Sequence, residues 1–260
     1  MSILLQDLKF AIRTIAKSPG FTLVAVLTLA LGIGANTAIF SVVNAVVLRP
    51  LPFKNPARLV WSWGSCTLCG HAAVSPADFL DYRAQNHSFE HYGAMAVGDS
   101  LFNLTGDDKP IQIKGAMVSA GFFEALGIQP RYGRVFNESD EKTTDPEAVI
   151  LSHHLWQNNF GGDPQVIGKS ISLDGKSRTV VGVLSTDIPV LSEADLWFPA
   201  PFLNKGMQSR RSHFLRPIGL LKPGVTICQA QSELDSIAAH LATQFPETNA
   251  GFGVKLEPLQ

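Results

Sequence analysis

The sequence predicts an α+β fold in which one N-terminal transmembrane helix precedes an exterior domain made of two strand–helix–strand halves around a strand-rich middle. Three observations predict it. From Phe21 to Leu48 there are 28 residues without an Asp, Glu, Lys or Arg, and about 20 apolar residues suffice to cross a bilayer. Near each end of the remaining chain the hydrophobic period alternates between 2 and 3.6, and between those ends short alternating segments punctuated by turn residues dominate.

The apolar run sets the topology. At 1.5 Å per residue it reaches ~42 Å against a hydrocarbon core of ~30 Å, so it tilts or continues beyond the membrane. Lys9, Arg13 and Lys17 precede it and only Asp7 opposes them. The positive-inside rule therefore places the N-terminus in the cytoplasm and the chain after Leu48 outside, with Arg49 as a weak counter-signal. A cleaved signal peptide is the alternative. It is disfavoured because the run far exceeds an h-region of about 7–15 residues and no A-x-A site follows it. Residues 1–20 read as a cytoplasmic segment in which Leu4, Leu5, Leu8, Ile12 and Ile15 share a face suited to the inner leaflet, the alternative being a solvated arm. Ser18-Pro19-Gly20 breaks that segment from the next helix, with Ser18 as cap and Pro19 in the first turn.

Within the run, Ala30, Gly34, Ala38, Ser41 and Ala45 recur every three or four residues, and Asn36 and Asn44 supply polar groups. Such a stripe suits packing against further transmembrane helices, although small residues are also common in spans generally. The glycines do not form a phosphate loop. Thr37 stands where a dinucleotide fingerprint needs its third Gly or Ala, no acidic residue lies about twenty positions on, and no Gly-Lys-Ser/Thr string occurs. No cofactor is expected.

Composition narrows the exterior part. The whole chain has 260 residues, 45% of them hydrophobic, and a formal charge of −1; the exterior part carries 18 basic and 21 acidic residues. That balance points away from nucleic acid, which demands a basic patch. Three cysteines are too few for a disulfide scaffold.

Each exterior element has a local reason. Pro50, Pro52 and Pro56 end the helix and stiffen the exit, after which "RLVWSW" reads as a strand. "SPADFLDYRAQN" is a helix, with Ser75 as cap, Pro76 in the first turn and Asp78 favouring the helix dipole. "FEHYGAMAV" returns as a strand. The middle offers "FNLTG" and "IQIKGAMVS" around the turn "GDDKP", then "AVILS", then "SISLDGKSRTVVGVL", whose Asp174-Gly175 is a two-residue hairpin signal. Short helices cover "AGFFEALG" and "HLWQNNF". "HFLRPIGLL" is a strand in which Pro217 argues for an edge or a bulge. Residues 226–245 form a helix with Ile227, Ala230, Leu234, Ile237, Ala238, Leu241 and Phe245 on one face, and "FGVKLEPL" closes as a strand.

Two motifs imitate chemistry. Cys66 and Cys69 in "CTLCGH" have metal or redox spacing, with His71 as a further ligand. Gly70 separates that His from the second Cys, against a haem attachment, and a structural zinc lacks a clear fourth ligand. The plainer readings are a short disulfide or free thiols, and no metal is assigned. "HSFEH" matches the H-x-x-E-H zinc-protease pattern, but His87 and His91 fall where a helix ends and a strand begins. His153 and His154 flank a helix. No nucleophile elbow or paired-carboxylate signature stands out.

Taken together, "SPGFTLVAVLTLALGIGANTAIFSVVNAVVLRPLPF", "VSPADFLDYRAQNHSFE", "VSAGFFEALGIQPRYGRVF", "VILSHHLWQNNFGGDPQVIGKSISLDGKSRTVVGV" and "LKPGVTICQAQSELDSIAAHLATQFPETNAGFGV" resemble bacterial ABC transporter permeases of the MacB/FtsX type, especially duplicated permeases of acidobacteria. The resemblance implies a transmembrane helix at 21–48 and a periplasmic core domain over 49–260. That domain would comprise porter-like halves at about 57–127 and 212–260, with a β-rich, sabre-like insertion at about 128–211. It implies a non-enzymatic inner-membrane subunit whose partners are a cytoplasmic ABC ATPase, further transmembrane helices of the same permease, membrane lipid, and a homodimer mate or periplasmic adaptor. The further helices such permeases carry are not in this sequence, so the chain reads as the N-terminal part of one. The rival reading is a single-pass anchored periplasmic binding or interaction protein.

Overall fold

The computed structural model of the chain describes residues 13, 17–43, 53–66, 70–105, 110–142, 145, 147–185, 188, 193–202 and 205–259. It divides into two units, 1–51 and 52–260.

In the first unit, helix α1 spans Pro19–Val43. Pro19 occupies its first position, where a missing N–H costs nothing, and the Ser18 carbonyl accepts the Thr22 amide at 3.0 Å and its hydroxyl at 2.9 Å. The stretch Pro19–Ala38 is long and apolar enough to cross a membrane. Most of the amphipathic segment, and Asn44, Ala45 and Leu48, lie outside the described residues.

The second unit begins with strand β1 (Leu59–Cys66), helix α2 (Pro76–Gln85) and strand β2 (Phe89–Ala96). The Ser75 hydroxyl caps α2 by accepting the Asp78 amide at 3.1 Å, as the Ser-Pro start predicts. Near the other end of the chain, β10 (Leu215–Leu221) leads into α5 (Ile227–Gln244), the short α6 (Pro246–Asn249) and β11 (Phe252–Pro258). Thr226 and Gln229 form a reciprocal capping box at the start of α5. The four strands stand in the order β11-β1-β10-β2, all neighbours antiparallel. Each strand–helix–strand half is thus split by a strand of the other, the split βαβ arrangement. One face carries α2 and α5 over a core of Val60, Phe79, Tyr92, Leu234, Leu241 and Leu256, among others. Each large aliphatic chain buried there contributes about 1.5–3 kcal/mol.

Between the halves lie β3 (Ser100–Thr105), β4 (Ile111–Val118), α3 (Phe122–Leu126), β5 (Pro130–Gly133), β6 (Ala148–Leu151), α4 (His153–Asn159), β7 (Ser170–Leu173), β8 (Lys176–Leu184) and β9 (Leu196–Pro199). The strands follow the path β4-β3-β7-β8-β6-β9, and β9 pairs back to β4, closing a six-stranded ring. Closure leaves these strands only short free edges. Two of its contacts, β6–β8 and β4–β9, are parallel. Ile113, Val149, Ile171, Val180 and Leu196 join Leu155 and Trp156 of α4 in its core. Asp174 and Gly175 both have positive φ, 48° and 77°, the turn that the Asp-Gly pair predicts between β7 and β8.

Helix α3 sits where sheet and ring meet. Phe122 and Phe123 lie 5.9 and 5.5 Å, centroid to centroid, from Trp197 of β9. On the other side, a Cβ at Gly93 of β2 would stand 2.4 Å from the Phe122 nitrogen. The absence of that side chain is what lets the helix approach the strand.

Pro217 departs from its expected edge position. β10 is an inner strand, and its register irregularity lies at Leu220/Leu221 rather than at the proline. The proline is tolerated because pairing with β1 stops at Ile218, and the Leu215 amide instead donates to the Val74 carbonyl at 3.0 Å. By strand alternation the missing N–H of Pro217 falls in the gap between the two partners.

Candidate functional site

Ala30, Gly34, Ala38 and Ser41 all fall within α1. At about 100° per residue Ala30, Gly34 and Ala38 share one face, while Asn36 projects about 160° away from Gly34. A helix seated on the small residues would therefore be out of reach of Asn36.

Of the Cys-x-x-Cys motif, Cys66 and the following His71 are described. Cys66 ends β1 and is disulfide-bonded, while Cys228 is free and exposed. Cys69 lies outside the described residues. His71 is engaged by Glu257, with Nε2 at 2.9 Å from Oε1, and packs on Trp63 at 5.0 Å between ring centroids. Among the described residues, no group of three or more His, Cys, Asp or Glu is placed to hold a metal ion.

The zinc-protease lookalike also disperses. Residues 89–91 are strand, not helix. Glu233 accepts the His87 amide and Glu90 pairs with Arg58. His153 begins α4 beneath its Ser152 cap and packs against Trp156.

What the fold does bring together is a pair of ionic clips. Asp78, with only 10% of its side chain exposed, accepts from the Ser75 hydroxyl at 2.6 Å, the Asn249 amide at 2.8 Å and the Arg210 guanidinium at 2.5 Å. Arg210 also reaches Asp81 at 2.6 Å and lies 3.8 Å from the centroid of the Phe245 ring. This clip ties α2, the segment before β10 and α6 together. Burial, and then the nearby Asp78 charge, raise the Tyr82 hydroxyl well above its ordinary pKa, so it stays protonated.

In the second clip, Arg83 of α2 donates both terminal nitrogens to Glu141 at 3.1 and 3.0 Å. Glu141 is fully buried and also accepts the Ala120 amide at 2.7 Å. It links α2 to the segment between β5 and β6, so the clip spans from the sheet layer to the ring. Beside it opens a cavity of about 410 Å³ lined by Arg83, Glu90, His91, Glu124 and Glu138, among others.

A third cluster lies on the sheet face opposite α2 and α5. Trp61 and Trp63 project from β1 beside Arg216 of β10, with His71, Lys255 and Glu257 at its margin. Sequence reading missed all three clusters. The alternating "WSW" could have signalled an outward aromatic pair, but nothing local announces an ion pair between residues 58 or 132 positions apart.

Comparison with known proteins follows this geometry. The MacB-like periplasmic core domain family matches residues 22–237, a span that takes in most of α1 and most of the exterior unit. A search of curated proteins returns no match. A domain assigned to a permease protein from Porphyromonas gingivalis is similar in fold, with a TM-score of 0.60 and 19% identity, covering 80% of this chain and 93% of that one. The extracellular domain of the ABC-type transporter YknZ from Gram-positive bacteria gives 0.53 and 15%, covering 76% and 99%. The periplasmic region of MacB from Actinobacillus actinomycetemcomitans gives 0.53 and 14%, covering 77% and 89%. A family match that covers most of the chain, running from an N-terminal apolar helix into a mixed helix–strand unit, shows that the chain belongs to the MacB-like periplasmic core domain family.

Proposed function

We propose that this chain belongs to an ABC-type permease subunit that couples ATP hydrolysis by a separate cytoplasmic ATPase to movement of its periplasmic domain. The observation that carries the reading is the single family match from residue 22 to 237, which joins a membrane-crossing helix to the exterior domain in one order. Helix α1 acts as the lever, its small-residue stripe seating further helices of the permease, with N-terminus inside and the exterior unit outside. The disulfide at Cys66 supports that orientation, since disulfides persist in oxidising compartments. On this reading the chain contributes mechanics rather than catalysis, and its buried carboxylates Asp78 and Glu141 serve to hold elements together. The split sheet with α2 and α5 serves as the porter-like part, and the closed ring as the sabre-like insertion.

The test is purification of the chain from its native membrane with an affinity tag. An ATP-hydrolysing protein is expected to accompany it, and Gly34→Leu with Ala38→Leu, which block the stripe, are expected to release that protein or uncouple its turnover. A monodisperse single-pass chain with no associated ATP hydrolysis would refute the permease reading in favour of an anchored binding protein.

A further inference from the structure

We infer that the face of the sheet opposite α2 and α5, around Arg216, is a docking surface for a partner protein that presents a carboxylate, on an acidic side chain or a chain terminus. The guanidinium carbon lies 5.5 Å from the Trp61 ring centroid and 5.1 Å from that of Trp63, and the two rings are 5.8 Å apart. Four other half-buried arginines each hold a carboxylate: Arg58 with Glu90, Arg83 with Glu141, Arg178 with Asp145 and Arg210 with Asp78 and Asp81. Arg216 has no such partner among the described residues, and its Nε is buried without a hydrogen bond. A buried donor left without an acceptor keeps its desolvation cost.

The neighbours do not supply that acceptor. Glu257, opposite Trp61 on β11, is already engaged by His71 at 2.9 Å and Lys255 at 2.8 Å. With Arg216, Lys255 and Glu257 the patch carries a formal charge of +1, on an exterior part whose acidic residues outnumber its basic ones 21 to 18. Charge therefore favours an acidic partner over a basic one. Tryptophan and arginine are also the side chains that dominate binding energy at interfaces, because a large rigid ring excludes water from a directional charged bond. The planar guanidinium, resting against two adjacent indoles, has the fork geometry that takes a carboxylate bidentately through its terminal nitrogens. This inference does not depend on the transporter reading.

The experiment uses the full chain in lipid nanodiscs and a fluorescein-labelled, amidated peptide alternating Glu and Leu, with the Gln-for-Glu peptide as comparison. Fluorescence anisotropy is expected to show the acidic peptide binding at least tenfold tighter than the Gln peptide, and weakening as salt is raised. Arg216→Met is expected to abolish that difference without lowering the melting temperature, because the orphaned Nε disappears with the charge. Arg216→Lys, which keeps the charge but not the plane, is expected to lose part of it. Equal binding of both peptides, no binding, or equal affinity of wild type and Arg216→Met would overturn the inference. So would Arg216-dependent binding to vesicles containing anionic lipid, or Arg216-dependent self-association, in place of peptide binding.

Discussion

Replacing Glu141 with alanine removes the centre of the clip that joins α2 to the segment between β5 and β6. Glu141 is fully buried and Arg83 keeps 17% of its side chain exposed. Breaking a buried ion pair from one side costs about 3–5 kcal/mol, because the surviving charge stays desolvated. The partial exposure of Arg83, and its position 5.2 Å from the centroid of the Phe79 ring, reduce that figure. The Ala120 amide loses its acceptor as well, a loss of about 1–3 kcal/mol where no water replaces it. The net expectation is about 3 kcal/mol, equivalent to a melting point ~6–12 °C lower for a unit of this size. Thermal and urea unfolding of the full chain in detergent, followed by far-ultraviolet circular dichroism, measures it. The double variant Arg83→Met with Glu141→Leu is expected to be less destabilised than the sum of Arg83→Met and Glu141→Leu, since it strands no charge. A loss below about 1 kcal/mol in Glu141→Ala, or additivity within about 0.5 kcal/mol in the cycle, would refute the reasoning.

Other consequences can be checked with the same preparations. Gly93→Ala places a Cβ 2.4 Å from the Phe122 nitrogen and 2.5 Å from its Cα, so backbone must move; about 1–3 kcal/mol of destabilisation is expected in the urea titration. At Glu233, burial pushes the carboxyl upward, but hydrogen bonds from the Ser88 hydroxyl and from the His87 and Ser88 amides outweigh it and hold the pKa below its ordinary 4.5. Its contribution is therefore fully present above about pH 4.5 and lost as the pH falls through the lower folded value. Glu233→Gln is expected to flatten the acid limb of a stability–pH profile, and an unchanged limb would contradict this assignment. Because Cys228 is free and exposed while Cys66 is disulfide-bonded, a maleimide is expected to label Cys228 in the folded chain and leave Cys66 unlabelled until reduction, as peptide mass mapping reads directly. An impermeant maleimide applied to spheroplasts then reports the side of the membrane on which the exterior unit lies.

Much of the local structure was legible because its causes are local. Ser75 and Pro76 start α2, Asp174-Gly175 turns β7 into β8, and the apolar positions from Ala230 to Leu241 mark the buried face of α5, each within one or two turns of chain. Pro217 shows where such reasoning stops. Its ring excludes a ladder hydrogen bond, which the sequence reveals, but whether a partner strand stands opposite depends on Val74, 143 positions away in the chain and joined to Leu215. The family resemblance was legible in the same way, through concatenated motifs, and the match over 22–237 agrees with it.

Hydrophobic length, periodicity and turn chemistry act between near neighbours, so the linear sequence already carried the helix long and apolar enough to cross a membrane, the alternation of helix and strand, and the family. It took the folded arrangement to show that the middle strands close into a ring, that Asp78 and Glu141 become buried clips, and that Arg216 rests against two tryptophans with no carboxylate partner among the described residues. Those outcomes depend on which distant segments share a dry space, and burial turns a charge that water would screen into one that must find a partner.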